Sequence, residues 1–379
     1  LAVSKPGGVA HDLRELAGLS QAAGRRLDWA QAAGGNSSLK TPDGLLLVKA
    51  SGLRLDETSP KRGFVALGLA ELRAVLDDPS YNALPHGQQQ DKAGEALLAA
   101  LRPLPGVDTT GLRASLEAEF HALGPRVCLH VHLVEGLAAL CQADAKEELD
   151  KALQPLKLKA AWADYRPPGH SLACLVRDGL RERPAAVAGM ANHGLIVWGD
   201  QAAQAVALVE RLQQALAAHF RAVEPPKLHA KPGDQDSACK RAAAAMKEAF
   251  PHLGARGPAT DAWAQSLAQG GAWGWQPVCP DDVLYAGFQV PELTPEQAQA
   301  PRLLGVFGNE PKVVALALPD HGVMIAAKDA RAWRAAHEIL HANARARALA
   351  RSRGQVRPLS RAQADEILGM RGEQHRQSL

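Results

Sequence analysis

Aromatic residues are scarce: Phe, Trp and Tyr together make up 4% of the 379 residues. A core must therefore be built mainly from Ala, Leu and Val, a composition that leans towards helix. Neither sign of charge dominates. With 43 basic and 40 acidic residues the formal net charge is +3, and no field arises that would imply nucleic acid or an anionic membrane as a partner. The one locally basic stretch, Arg345 to Arg353, reads as the solvated end of a helix. Paired thiols are missing too. Five cysteines (Cys128, Cys141, Cys174, Cys239 and Cys279) are odd in number and widely spaced, with no Cys-x-x-Cys pair, which points to a reducing cytoplasm. No apolar run reaches membrane-spanning length and no signal peptide opens the chain, while Leu1 in place of Met suggests a trimmed start. What is present is ordinary for a globular chain. Hydrophobic residues make up 46% and charged residues 22%, and the length suffices for one large domain or two moderate ones.

The first half alternates helical patterns with short apolar strands. Residues 10–26 carry Leu13, Leu16 and Leu19 on one helical face. Strands are expected at Asn36–Lys40 and Leu45–Lys49 around the turn Thr41-Pro42-Asp43-Gly44, and at Arg126–His132, where polar and apolar residues alternate. Two further strand pieces flank Asn192-His193-Gly194 within Val187–Trp198. Helices are expected at Leu69–Asp77, Asp91–Leu101, Ser115–Leu123, Leu133–Ala143, Lys146–Leu153, Gly169–Arg183 and Gln201–Val223. Residues 225–236, rich in Pro and Lys, read as a linker between a domain at 1–224 and a smaller α/β domain at 237–379. The unit from Val187 is echoed by Val314–Ile325: each reads as strand, Xaa-His-Gly turn, strand and Ala-rich helix. Either the C-terminal domain is a partial, degenerate copy of the first domain's last unit, or two Ala/Val-rich units look alike by chance.

His130 and His132 are two apart on an expected strand, so both imidazoles point to one face and can reach one ion. Alone, a His-x-His pair among 14 histidines is unremarkable. His193 adds weight, because it stands at a strand-turn-strand unit with Gly194 directly after it, where the backbone can bend sharply. Three histidines from two strands leave coordination positions open, the mark of a catalytic rather than a structural metal. Imidazoles suit zinc, and also cobalt, nickel or manganese. Glu117, on the expected helix before the His-x-His strand, can move a proton beside such an ion. Otherwise it is one more carboxylate on a solvated helix face.

Five segments, in this order over residues 1–224, carry a resemblance. They are Gly34-Gly35-Asn36-Ser37-Ser38-Leu39-Lys40, Val48-Lys49-Ala50-Ser51-Gly52, Arg113-Ala114-Ser115-Leu116-Glu117-Ala118-Glu119-Phe120-His121, His130-Val131-His132, and Asn192-His193-Gly194-Leu195-Ile196. Together they resemble the class II aldolase/adducin family. The Lys-Ala-Ser-Gly wording, the segment Tyr165-Arg166-Pro167-Pro168-Gly169-His170, and the stretch from Pro280-Asp281-Asp282 to Asp320-His321-Gly322 are similar to its longer members, the aldolase part of rhamnulose-1-phosphate aldolase/dehydrogenases. No Gly-x-Gly-x-x-Gly fingerprint occurs, so a dehydrogenase half is not expected.

The resemblance implies an α/β fold with a central, mainly antiparallel sheet flanked by helices. It implies a divalent metal, Zn2+ first among the candidates, on His130, His132 and His193, with Glu117 as catalytic acid/base. The implied reaction makes or breaks a carbon–carbon bond in a sugar or sugar-phosphate ketose through a metal-stabilised enediolate. Gly35, Asn36, Ser38, Ser51, Gly52 and Ser115 would hold a phosphate, with Lys49 or Arg113 adding charge. A homo-oligomer, commonly a tetramer, is implied as well. The sequence departs from the pattern at Leu116, where phosphate-cleaving members often carry Ser, and no tyrosine matches the one that protonates the leaving aldehyde in fuculose-phosphate aldolases. A non-phosphorylated hydroxy-keto acid therefore stays open as substrate. So do an epimerase or decarboxylase on the same scaffold, and a non-enzymatic interaction protein like adducin, although adducin-like members lose the metal ligands.

His337-Glu338-Ile339-Leu340-His341 competes for the metal. On a helix, histidines at i and i+4 share a face and can bind zinc, with the glutamate as general base of a metalloprotease. No third ligand follows at suitable spacing, since only His375 lies downstream. A solvated amphipathic helix is the simpler reading, as a turn histidine left by duplication is for His321.

Overall fold

The computed structural model describes residues 8–370; Leu1 and His375 lie outside the described residues. It divides into two compact units. One takes in 8–140, 144–219 and 366–370, and the other 141–143 and 220–365. No helix among the described residues is long and apolar enough to cross a membrane.

In the first unit the Leu-Leu-Leu-Val run of residues 45–48 can only be accommodated by a strand covered on both faces. Eight strands form one sheet: β1 (Asn36–Lys40), β2 (Leu45–Lys49), β3 (Phe64–Gly68), β4 (Leu101–Arg102), β5 (Val127–Val131), β6 (Ala161–Ala163), β7 (Val187–Met190) and β8 (Gly194–Gly199). Their order is β4-β3-β2-β1-β5-β8-β7-β6. Every pairing is antiparallel except β6 with β7. The mixed α/β architecture with a mainly antiparallel central sheet is therefore the one expected.

The β1–β2 turn closes as its residues dictate. Thr41 and Leu45 exchange backbone and hydroxyl hydrogen bonds, and Gly44 takes φ +85°. On one face Leu46, Val48, Val65, Leu67, Cys128, Ile196 and Trp198 pack with Leu72, Leu76, Phe120, Leu172 and Val176. The alternate residues Leu47, Leu129, Leu195 and Val197 are equally buried. Helices Val9–Gly24 and Ala202–His219 lie against β1, β5 and β8, the second burying Ala205, Val209, Leu212 and Leu216 at helical spacing.

Two of the expected helices are recast by bonds from neighbouring strands and loops. The pattern at Asp91–Leu101 is a helix over His86–Ala99, because Gly68 N–H takes the Ala100 carbonyl and Leu101–Arg102 joins β3. Ser115–Leu123 is helical only over Ala118–His121. There Ser51 N–H bonds the Arg113 carbonyl, which draws the preceding chain into a sheet-like bridge. Tertiary pairing outweighs the local helical preference in both places.

The second unit holds β9 (Ala255–Pro258), β10 (Val313–Leu318) and β11 (Gly322–Ala327) in the order β10-β11-β9. Its core joins Ala242, Met246 and Phe250 to Leu303, Val314, Leu316 and Met324. The end of the expected linker is helical, since Pro232 opens the helix Pro232–Ala249 at the position where a missing N–H costs nothing. Arg347, expected on a solvated helix end, is instead buried. It donates to Asn343 Oδ1 and the Ala272 carbonyl, and burial pulls it down to about 10.

The two hairpins share one register. Adding 128 to each number turns the β5–β8 pair Val127↔Gly199 into the β9–β11 pair Ala255↔Ala327, and the β7–β8 pair Met190↔Gly194 into Leu318↔Gly322. The turns match in backbone shape, with Asn192 at φ +52° and Asp320 at φ +62°. The same shift takes the helix start Ala202 to the helix start Ala330.

Close backbone contact in the first unit rests on glycine. A Cβ at Gly179, on the helix His170–Glu182, would collide with the Trp162 carbonyl oxygen of β6. Gly179→Ala should lower unfolding free energy by about 1–3 kcal/mol in a urea titration; an unchanged midpoint would show that helix and strand separate freely.

Candidate metal centre

Antiparallel pairing places the centre. Asn36 of β1 lies opposite His130 of β5, so both project from the same face. His132 follows directly after β5, and His193 sits in the β7–β8 turn, where His193 N–H closes onto the Met190 carbonyl. Gly194 begins β8 and has no side chain to obstruct them. A Cβ there would stand 2.6 Å from the Val131 carbonyl oxygen, 2.9 Å from His130 Cε1 and 3.1 Å from His132 Cδ2.

The three rings converge. Ligand nitrogens of His130, His132 and His193 all lie within 4.8 Å of one another, and all three residues are buried. His130 Nε2 and His132 Nε2 are 3.1 Å apart. His130 Nδ1 lies 3.0 Å from the Leu195 carbonyl, so that nitrogen carries the proton and Nε2 keeps its lone pair. Burial holds the His130 ring well below its ordinary pKa; Glu117 opposes this, while His132 and His193 add to it. Three imidazoles whose ring nitrogens converge in one buried space are what a divalent ion requires, so the donor set fits.

Glu117 closes the group. Its Oε1 is 3.0 Å from His193 Nε2 and 3.9 Å from His130 Nε2. Its Oε2 accepts from the Asn36 amide at 3.2 Å, and the same amide nitrogen donates to Ser115 Oγ at 3.0 Å. Glu117 lies on the turn just before the short helix rather than on it. Ser115 Oγ accepts the Glu117 N–H at 3.2 Å and fixes that turn.

The remaining expected residues are spread along the same edge. Gly35, at φ +72°, lies under the His130 carbonyl, where a Cβ would approach to 2.9 Å. Ser38 spends its hydroxyl on His121 Nδ1 at 2.8 Å; burial pushes that imidazole down to about 3, against the pull of Glu117. Lys49 is buried, with Nζ 2.6 Å from the Leu53 carbonyl, so it braces the Ser51–Gly52 turn, where Gly52 takes φ +78°. Arg113 is exposed beside Ser51. The sequence had assigned no role to His121, to the Leu195 carbonyl or to the buried Glu119–His170 pair. His121 is four residues after Glu117, a spacing that hints at a shared helical face; a backbone carbonyl leaves no trace in sequence.

The His-Glu-x-x-His motif has another occupation. His337 Nε2 and His341 Nδ1 each lie 2.8 Å from one oxygen of Asp261. That carboxylate also caps the helix Ala262–Ser266 by accepting Ala264 N–H. Burial alone would raise Asp261, but the bonds from His337, His341 and Ala264 outweigh it and hold the carboxyl below its usual range. Glu338 turns to Arg334 at 2.7 Å. The group His11, Asp12 and Glu15 also lies close enough to share an ion, yet Arg126 reaches Asp12 at 2.7 Å and Glu15 at 2.8 Å.

A buried trio of imidazoles beside a pinned carboxylate, on an antiparallel sheet between helices, defines a candidate divalent-metal centre in an α/β protein. Residues 14–220 match the family described as Class II Aldolase and Adducin N-terminal domain, and the chain belongs to it. No curated protein matches. Among solved structures the chain is similar to the N-terminal class II aldolase domain of a conserved protein from Thermoplasma acidophilum, at 22% identity and TM-score 0.45, covering 58% of this chain and 98% of that one. An aldolase II superfamily protein from Pseudomonas syringae gives 19% identity and TM-score 0.40, covering 57% and 76%. A sugar-phosphate aldolase from Thermotoga maritima gives 13% and 0.38, covering 56% and 95%.

Gly194→Ala tests the packing of the rings. The added methyl meets two imidazoles and a backbone oxygen, and should destabilise the fold by about 1–3 kcal/mol. Thermal unfolding with and without added zinc should show a smaller metal-induced rise in Tm than the parent; an equal rise would mean the rings do not depend on that space.

Proposed function

We propose that this protein is a divalent-metal-dependent lyase of the class II aldolase type, acting on a carbon–carbon bond of a sugar or sugar-phosphate ketose. The observation that carries the reading is Glu117, pinned by Asn36 within 3.0 Å of the His193 ring in the convergent trio. His130, His132 and His193 would hold the ion, with zinc favoured by three imidazole donors. When bound, the ion supplies a Lewis acid that polarises the oxygens of the ketose. Glu117 takes and returns the proton, with Oε2 fixed by the Asn36 amide and Oε1 turned to the rings. Asn36 Oδ1 is buried with no hydrogen-bond partner among the described residues, and is the acceptor offered to a substrate hydroxyl. Arg113, exposed beside Ser51, is the charge offered to a phosphate, and Lys49 acts behind that loop. An epimerase or decarboxylase would use the same trio and the same carboxylate. Assembly as a homo-oligomer, a tetramer by family resemblance, and a place in the cytoplasm, consistent with five cysteines none of which is in a disulfide, belong to the same proposal.

We also infer that the second unit is a degenerate copy of the first unit's second half, on the strength of the constant shift in register. The positions that answer to His130, His132 and His193 are Pro258, Thr260 and His321. One ligand of three survives, so the copy holds no ion of its own.

Metal analysis of the purified protein tests both readings. The expected content is one ion per chain, kept in His321→Ala and His341→Ala and lost in His132→Ala. Retention in His132→Ala, or loss in His341→Ala, would overturn the assignment. Glu117→Gln should keep the ion and lose turnover of a ketose phosphate by about 100-fold or more, and full activity in that variant would remove Glu117 from the mechanism.

A further inference from the structure

The five cysteines do not share one environment. Cys128, Cys141, Cys239 and Cys279 are buried, and burial pushes the Cys128 and Cys141 thiols up to about 12. Thiols in such surroundings are inert. Cys174 alone is half-buried.

His170 opens the helix His170–Glu182 and Cys174 follows one turn later, so the two share a face. His170 Nε2 lies 3.4 Å from Cys174 Sγ. Nδ1 of the same ring lies 2.6 Å from Glu119 Oε2. The three side chains thus stand in the order thiol, imidazole, carboxylate, the arrangement by which an imidazole is oriented to activate a nucleophile. Spacing on the helix explains only the first contact. The second comes from a different element, the short helix Ala118–His121, and is made wholly in the interior, where Glu119 and His170 are each at most 2% exposed. A carboxylate so placed needs a cation, and His170 supplies it. Burial pulls the His170 ring towards its neutral form, but the bonds to Cys174 and Glu119 outweigh this and carry it up to about 9. A ring protonated on both nitrogens donates from Nδ1 to Glu119 and from Nε2 to the sulfur. Around them stand the Tyr81 ring, 4.5 Å from the imidazole, with the Lys92 ammonium over that ring, the Asp78 carboxylate, and Arg177, whose charge interacts with Cys174.

We propose that Cys174 is an activated thiolate, oriented by His170 and Glu119, and is the site at which this protein reacts with hydroperoxides and soft electrophiles. With hydrogen peroxide the sulfur attacks one oxygen. The S–O bond forms as the O–O bond breaks, the leaving hydroxide takes the proton from His170 Nε2, and the products are a sulfenic acid and water. Sulfur is oxidised and peroxide reduced, with no further reactant. The site is separate from the metal ligands and needs no ion.

The test uses the full chain and iodoacetamide at pH 7, with the modified cysteines identified by peptide mapping. Cys174 should react at least about tenfold faster than the four buried cysteines and faster than glutathione in the same buffer. Its rate should fall about tenfold in His170→Asn, and dimedone should trap a sulfenic acid at Cys174 after peroxide. A rate at or below that of glutathione, or one unchanged in a folded His170→Asn, overturns the proposal. Should His170→Asn not fold, the pH–rate profile of the parent decides alone. An inflection well below the free-thiol value of about 8.5 supports an activated thiolate, and one at or above that value overturns it.

Discussion

The register between β1, β5 and β8 is the constraint on which the candidate metal centre depends. Asn36 opposes His130, and His130 opposes Ile196, which puts Gly194 beside the two imidazoles. A slip of one residue in either pairing would turn the histidines to the opposite face, into a layer of Leu and Val. The buried apolar positions on both faces of the sheet prevent that slip, because it would also exchange Leu129 with His130. Packing across the whole sheet thus holds a geometry that three side chains could not hold by themselves.

The carboxylate side of the centre is governed by charge. Glu117 and Glu119 lie two residues apart, both buried, and each is met by a different partner: Asn36 and His193 for the first, His170 for the second. Buried carboxylates persist only when hydrogen-bonded or paired, so the turn between Ser115 and His121 cannot rotate without losing several such contacts together. Ser38 and Ser115 contribute hydroxyls to the same end. The turn that carries Glu117 is therefore fixed by polar bonds, in a region where the adjoining strands are fixed by apolar ones.

Much of this was legible in the sequence. The strands Asn36–Lys40 and Leu45–Lys49 have the bounds the turn chemistry implied, and the Asn-His-Gly unit is the hairpin turn its residues required, with Asn192 in the left-handed region. The three histidines converge as their spacing suggested. Other features left weaker marks. β6 is three residues long, too short for any periodicity to register. β3 was not among the expected strands, and its pairing with β2 makes it one. Glu117 was read onto a helix because Ser115–Leu123 has helical spacing; the bonds that unwind its first turn come from Asn36 and Ser51, each more than sixty residues away. Asp261 is the clearest case of information absent from a motif. His-Glu-x-x-His is legible at a glance, but the carboxylate that occupies both histidines is supplied by a distant segment.

The outermost strands of the eight-stranded sheet have a consequence for how copies of this chain can meet. β4 spans two residues and β6 three, while the longer strands lie inside the sheet. An edge that short exposes few unpaired amides and carbonyls, so it offers little template for another strand to extend. Association that extends the eight-stranded sheet from one copy to another is disfavoured from both sides. The lateral growth that makes many large sheets prone to aggregation is thereby checked by nothing more than strand length.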